Sequence, residues 1–292
     1  MEKTSGPVVV GWDASPEAHL ALQQAHARAE RESRPLRVVI ALGDIGRLSR
    51  WADEWTRGLG DEWCEKARKV LAELGRPDLV PDLVVGTPAE VLARESRTAS
   101  AVVVGAGGHG PLFGRLLGSV SQQLARHAAC PLLVVRAGGV AVGPVVVGVD
   151  GSPGSMAALE FALAEGAARR VPVDALYVPQ HLPGYVYWEG STPVELLRDL
   201  EAYDAEVQAS VADVLSRHPE VVAQVRTADG SAAHEITRAS ENASLVVVGA
   251  RGTGGLPGLL LGSVANAVLH HSHCPVAVIH APVEEEGDLP CD

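Results

Sequence analysis

The chain has 292 residues, 47% of them hydrophobic, which is ample for two ordinary cores and long for one. Aromatics are only 4%, so those cores must be built from Val, Leu and Ala. A formal net charge of −12, with no run of Lys or Arg, speaks against a nucleic-acid partner and against a membrane surface.

The first predicted element is a buried strand, Val8 to Trp12. Asp13-Ala14-Ser15-Pro16 ends it and opens a helix to about Glu32, with Ser15 as N-cap and Pro16 at the first helical position. Candidate inner positions of this helix include Leu20, Leu22, Ala25 and Ala29. A strand follows at Leu36 to Leu42. Gly43 to Gly60 reads as irregular or partly helical and holds Trp51 and Trp55, and Asp61 to Leu74 reads as a helix. Then come a strand at Val80 to Val85, a helix at Pro88 to Arg97, a strand at Ala101 to Val104, a helix at Ser119 to His127 and a strand at Leu132 to Val135.

The plan then repeats. Strands are expected at Val145 to Val149, Val173 to Val178, Val221 to Val225, Leu245 to Val248 and Val276 to Ile279. Helices are expected at Gly154 to Arg169, Pro193 to Arg217, Ala232 to Glu241 and Ser263 to His271. Two blocks carry the repeat. Pro7 to Pro16 returns as Pro144 to Pro153, offset by 137, and Val102 to Val120 returns as Val246 to Val264, offset by 144. The expected units are 1–137, 144–283 and an acidic, disordered tail at 284–292, with a short small-residue linker between the first two.

Alternating strands and helices, with strands apolar on both faces, imply an α/β fold of two tandem doubly wound domains. Each would carry a parallel five-stranded sheet flanked by helices. Ligands in such sheets bind beyond the carboxyl ends of the strands, where the strand order reverses. The first and fourth strands of each copy would meet there, bringing Asp13 beside Gly105 and Asp150 beside Gly249.

In both copies a run of valines stops at a glycine, a second glycine follows three residues on, and Gly-Ser opens the next helix. The set is Gly105, Gly108, Gly118 and Ser119, then Gly249, Gly252, Gly262 and Ser263. Glycine lets backbone approach a phosphate, and a helix N-terminus offers free N–H groups to it. The Ser hydroxyl is expected both to cap the helix and to donate to a phosphate oxygen. Against this stands a glycine turn that merely ends a strand. Identical spacing in two copies whose intervening residues differ makes that the weaker reading. An anionic ligand such as ATP would need those N–H groups, and Mg²⁺, to offset the charge of the chain.

Asp13 and Asp150 suit a ribose hydroxyl or a metal, or simply an Asx-turn at a helix start. Gly105 to Gly110 fits GxGxxG, but Arg251 breaks that motif in the second copy, and it follows a late strand, so a nicotinamide or flavin site is rejected. GxxxxGK[ST] is absent. His109, Arg115 and Arg251 lie at the loops without same-type counterparts and read as solvated. His270, His271, His273 and Cys274 crowd a helix end where spacing does not put them on one face, so metal binding is not the expectation there. Cys130 and Cys274 read as small buried hydrophobes before Pro, and Trp51, Trp55 and Trp63 as packing residues. Four cysteines without CxxC spacing, no signal peptide after Met1 and no membrane-length apolar run make a cytoplasmic location the expectation. No Ser-His-Asp or Cys-His arrangement is evident.

The G-x2-G-x9-G-[S/T] pattern, the strand ending in Asp before Ser-Pro, and a final Cys-Pro leading into a β-rich strand resemble the universal stress protein family. The resemblance covers almost the whole chain, as a tandem two-domain member of the ATP-binding branch. It implies the strand order 3-2-1-4-5, ATP as ligand, and a role as a nucleotide-dependent regulator of the stress response. The residues it implies in the first copy are Asp13, Ala14, Leu42, Gly105, Gly108, Gly118, Ser119 and Val120. In the second they are Asp150, Gly151, Val178, Gly249, Arg251, Gly252, Gly262, Ser263 and Val264. Adenine would lie at the end of the second strand, near Leu42 or Val178. The last strands match the edge that pairs in family dimers, so the two copies could pair within one chain, and a homodimer is also open. Gly107 replaces an Arg often present in the first loop, whereas Arg251 keeps it. A slow ATPase or phosphotransferase using the same sites, and an adaptor with vestigial sites, stay open beside this reading. No catalytic residue is assigned.

Overall fold

A computed structural model describes residues 6–43, 50–107, 117–138, 140, 142–179, 194–253 and 261–281, with backbone alone at 50–57 and 194–197. The strands are β1 (Val8–Gly11), β2 (Leu36–Leu42), β3 (Asp82–Val85), β4 (Ala101–Gly105) and β5 (Leu132–Val135), then β6 (Val145–Val149), β7 (Val173–Tyr177), β8 (Ala223–Thr227), β9 (Leu245–Gly249) and β10 (Val276–Ile279). They form one ten-stranded sheet in the order β3-β2-β1-β4-β5-β10-β9-β6-β7-β8. Neighbours are parallel except at the centre, where β5 and β10 run antiparallel with Val134 opposite Val276. The carboxyl ends of the strands in the two halves therefore point in opposite directions.

The valine runs of β1, β4, β6 and β9 are buried on both faces, as expected of a sheet covered on each side. The helices are α1 (Pro16–Glu32), α2 (Arg50–Glu73), α3 (Pro88–Glu95), α4 (Ser119–His127), α5 (Pro153–Arg169), α6 (Val194–Ser216), α7 (Ala232–Ala239) and α8 (Ser263–His271). One apolar layer joins the sheet to α1, α2, α5 and α6, and the other joins it to α3, α4, α7 and α8. Each layer runs through both halves. Ser15 accepts from the Ala18 N–H and Ser152 from the Ser155 N–H, and Pro16 and Pro153 open the helices behind those caps.

The main departure from the sequence reading is α2, which starts at Arg50 rather than Asp61. Gly58 and Gly60 suggest a break, yet Gly60 serves close packing. A Cβ there would stand 2.8 Å from Leu42 Cδ1 and 3.0 Å from Leu83 Cδ2. The edge strands also sit two residues late, β3 from Asp82 and β8 from Ala223. β8 takes in polar residues because buried Asp174 on β7 accepts from Gln224 at 2.8 Å and Arg226 at 3.2 Å. Helix α7 ends at Ala239 and continues as a 3-10 turn, Ser240–Asn242.

Candidate functional site

β1 lies between β2 and β4, and β6 between β7 and β9, so Asp13 and Asp150 leave the sheet beside the glycine loops that follow β4 and β9. Both close an Asx-turn. Asp13 Oδ1 accepts the Ser15 N–H at 3.0 Å, and Asp150 Oδ1 accepts the Ser152 N–H at 3.1 Å. The turn drives the next residue into left-handed backbone, φ +62° at Ala14 and +80° at Gly151.

In the second half the carboxylate does more than end a strand. Asp150 Oδ1 also takes the Ser152 hydroxyl at 2.6 Å, and Oδ2 takes the Thr253 N–H at 2.9 Å. Gly252 lies so close to Oδ2 that any Cβ would collide with it. Tyr203 donates to the Asp150 carbonyl at 2.7 Å. Burial pushes the Asp150 carboxyl up, but hydrogen bonds from Ser152, Thr253 and Ser155 outweigh it and hold the group below its ordinary value. Thr253 and Tyr203 carry no signal by themselves in the sequence.

Gly105 and Gly249 are required by packing. A Cβ on Gly105 would meet Glu17 Cβ at 2.7 Å, and one on Gly249 would meet the Gly154 carbonyl carbon at 2.7 Å. The first turns of α1 and α5 press on the ends of β4 and β9, a reason independent of any ligand. Gly118 and Gly262 are the N-caps of α4 and α8, and their N–H groups donate to the carbonyls of Ala106 and Ala250, both at 2.7 Å. Ser119 and Ser263 therefore do not cap. They already stand at the first helical position, and no side-chain cap bond is made at either helix. Ser121, unremarked in the sequence, ties its helix to the loop by donating to the Gly105 carbonyl at 2.7 Å. Gly108, His109 and Arg115 lie outside the described residues.

Leu42 and Val178 end β2 and the stretch after β7 with buried side chains in opposite apolar layers. The Leu42 carbonyl is taken by the Gly86 N–H at 2.8 Å. Val120 and Val264 are half-buried against the layer under α4 and α8.

The two halves differ at the glycine loops. Glu17 packs against Gly105 and Gly107, and its Oε2 is buried without a hydrogen-bond partner among the described residues. The counterpart of Glu17 is Gly154, which carries no side chain, and the counterpart of Gly107 is the exposed Arg251. Beyond the strand-end aspartate, the loop of the first half thus faces the Glu17 carboxylate, whereas that of the second has no side chain at the equivalent position and carries a guanidinium.

Other candidates have structural roles. Cys130 and Cys274 are buried, and burial pushes their thiols up to about 12 and about 11. Trp63 packs on the first core, its carbonyl accepting from Trp12 Nε1 at 3.2 Å. The Trp51 and Trp55 side chains lie outside the described residues. His270 meets Gln122 across the halves at 3.1 Å, and the His273 N–H donates to Ser240 at 2.9 Å. Among the described residues no group of three or more His, Cys, Asp or Glu is placed to hold a metal, and no helix is long and apolar enough to cross a membrane. Two open grooves lie away from the loops, about 730 Å³ between α5 and α6 and about 290 Å³ at the junction of the halves.

The universal stress protein family matches residues 5–136 and again 142–280. The chain belongs to the universal stress protein family. One universal stress protein of Mycobacterium tuberculosis is 34% identical over 292 residues, covering 93% of this chain and 96% of its own. Another from that organism is 32% identical over 316 residues, covering 96% and 97%. Among solved structures, a universal stress protein from Archaeoglobus fulgidus covers 97% of this chain and 98% of its own, at 18% identity and a TM-score of 0.68. One from Pseudomonas aeruginosa covers 96% and 94%, at 18% identity and a TM-score of 0.62. These structural likenesses establish the fold, and the tandem arrangement is shared along the whole length.

Proposed function

We propose that this protein binds ATP, as its magnesium complex, beyond the carboxyl ends of β1/β4 and β6/β9, and acts as a nucleotide-dependent regulator in the cytoplasmic stress response. Residues 1–137 and 144–283 are the two nucleotide-binding units in this reading, with 284–292 an acidic tail. One observation carries it. The N-termini of α4 and α8, each capped by a glycine that makes no side-chain cap bond, close on the loop that ends the neighbouring strand. Such an end presents free N–H groups and the positive pole of the helix to an anion.

The phosphates would lie on the loop glycines, Gly118-Ser119 and Gly262-Ser263, the ribose beside Asp13 or Asp150, and the adenine at the ends of β2 and β7. The Leu42 and Val178 side chains face the cores, so any adenine contact there falls to backbone and to neighbouring residues. Both Asp150 oxygens already accept hydrogen bonds, which does not suit a resident cation, so magnesium would arrive with the triphosphate. Glu17 opposes a polyanion in the first half, and Arg251 favours one in the second, so the second half is the tighter site. Calorimetric titration of the folded chain with Mg-ATP tests the reading. Saturable binding supports it, and its absence ends it.

A further inference from the structure

Helices α1 and α5 are the same element of the two halves, opened by Pro16 and Pro153. The repeat offset between them places Arg28 on Glu165 and Glu32 on Arg169. Each helix carries an ion pair at i,i+4, but in opposite order: Arg28 to Glu32 at 2.6 Å on α1, and Arg169 to Glu165 at 2.7 Å on α5. The two pairs meet at the junction of the halves. Arg28 Nη1 donates to Glu165 Oε1, and Arg31 Nη2 stands 3.9 Å from Glu165 Oε2. The paired Arg28 and Glu165 side chains are only 7% and 4% exposed. The Arg28 guanidinium also covers the Phe161 ring at 5.1 Å.

The central strands are equivalents too, and β5 pairs with β10 antiparallel. The halves thus face each other about a local two-fold axis, where a residue meets its own counterpart. Most of that junction would accept a like half as readily as an unlike one. Leu132, Leu133 and Val134 face Val278, Ala277 and Val276 through backbone bonds and apolar side chains. Arg136 donates to the Leu269 carbonyl and, at 2.8 Å, to that of Ser272, groups that any copy of the helix would offer. The Arg28–Glu165 position is different. Two first halves would bring Arg28 against Arg28, two second halves Glu165 against Glu165, and either burial of like charge is strongly unfavourable.

We propose that this charge-inverted cluster, Arg28 and Glu32 against Glu165 and Arg169, is a specificity device that pairs each half with the unlike half and rejects pairing with its own copy. The partner this face fits is the other half of the chain, and a second copy of the same half is excluded from it.

Three full-length variants of identical composition and net charge test this. E165R/R169E gives both halves the Arg-then-Glu order, R28E/E32R gives both the Glu-then-Arg order, and the four-fold variant restores unlike pairing with the order inverted. Each like-ordered variant should lose about 10 °C in Tm. Deuterium uptake should rise first at 132–135 and 276–279. The four-fold variant should regain more than half the loss. Full recovery is not expected, because Arg31 has Ala168 as its counterpart. Failure of only the like-ordered chains to fold counts as the same loss. The proposal is overturned if the like-ordered variants stay within about 2 °C of the parent, or if the four-fold variant is no more stable than they are or also fails to fold.

Discussion

Asp150 Oδ2 accepts the Thr253 N–H at 2.9 Å, so the end of β6 and the loop after β9 are fastened across the crevice by one carboxylate. The same carboxylate closes the Asx-turn through Ser152. Asp150→Asn would leave an amide donor facing a backbone donor on one side. We expect a loss of about 1–3 kcal/mol, the cost of stranding a partly buried polar group, measured by denaturant unfolding. The carboxyl lies below its ordinary value, so its stabilisation is present above the unfolded value of about 3.9 and is lost as pH falls through the lower folded value. Acid unfolding of the Asn variant should lack that component.

The loop glycines separate folding from binding. Gly249→Ala forces a Cβ into the Gly154 backbone at 2.7 Å and should cost about 1–3 kcal/mol with no ligand present. At Gly262 a Cβ would meet the Ala250 carbonyl at 3.4 Å, an ordinary contact. Gly262→Ala should therefore cost less than about 1 kcal/mol, while Gly262→Val narrows the approach to the helix end and should weaken nucleotide binding. Paired unfolding and titration data check both arms.

Ala14 holds φ +62° where its counterpart is Gly151 at +80°. An alanine in left-handed backbone is strained, and glycine relieves that strain at the expense of greater freedom when unfolded. Ala14→Gly should stabilise the first half by up to about 1 kcal/mol, read as a rise in the denaturant midpoint.

Burial pulls the His280 imidazole below its ordinary value, more than the nearby Ala125 backbone raises it. His270 is lowered as well, by burial and then by His271 and Arg136. Protons therefore favour the unfolded chain. Stability at the junction of the halves is full above about pH 6.5 and falls as pH drops through the folded values. Melting temperatures from pH 8 to 5 should decline in the parent and decline less in His280→Gln, which keeps His270.

Much of this was legible in the residues. Buried valine runs, Ser-Pro helix starts and two offsets of one pattern define the strands, the helices and the doubling. The early start of helix α2 is hard to read because Gly60 looks like a breaker until Leu42 and Leu83 are seen against it. Gly105 and Gly249 invited a ligand explanation because the first turns that press on them come from helices far away in the chain. Ser119 and Ser263 look like caps in sequence because N-cap and first helical position differ by one residue, which backbone angles decide. The opposition of Glu17 and Gly154 and the inversion at Arg28 and Glu165 are both visible when the copies are aligned by offset. Their meaning depends on what they face.

The central claim is that two helix ends hold nucleotide, unequally. Isothermal titration of the folded chain with Mg-ATP, repeated on Glu17→Gln, tests it most directly. We expect a tighter site that Gly262→Val weakens, and a weaker site whose affinity Glu17→Gln raises on the order of tenfold by removing one nearby negative charge. No saturable binding to folded protein at either site would contradict the account.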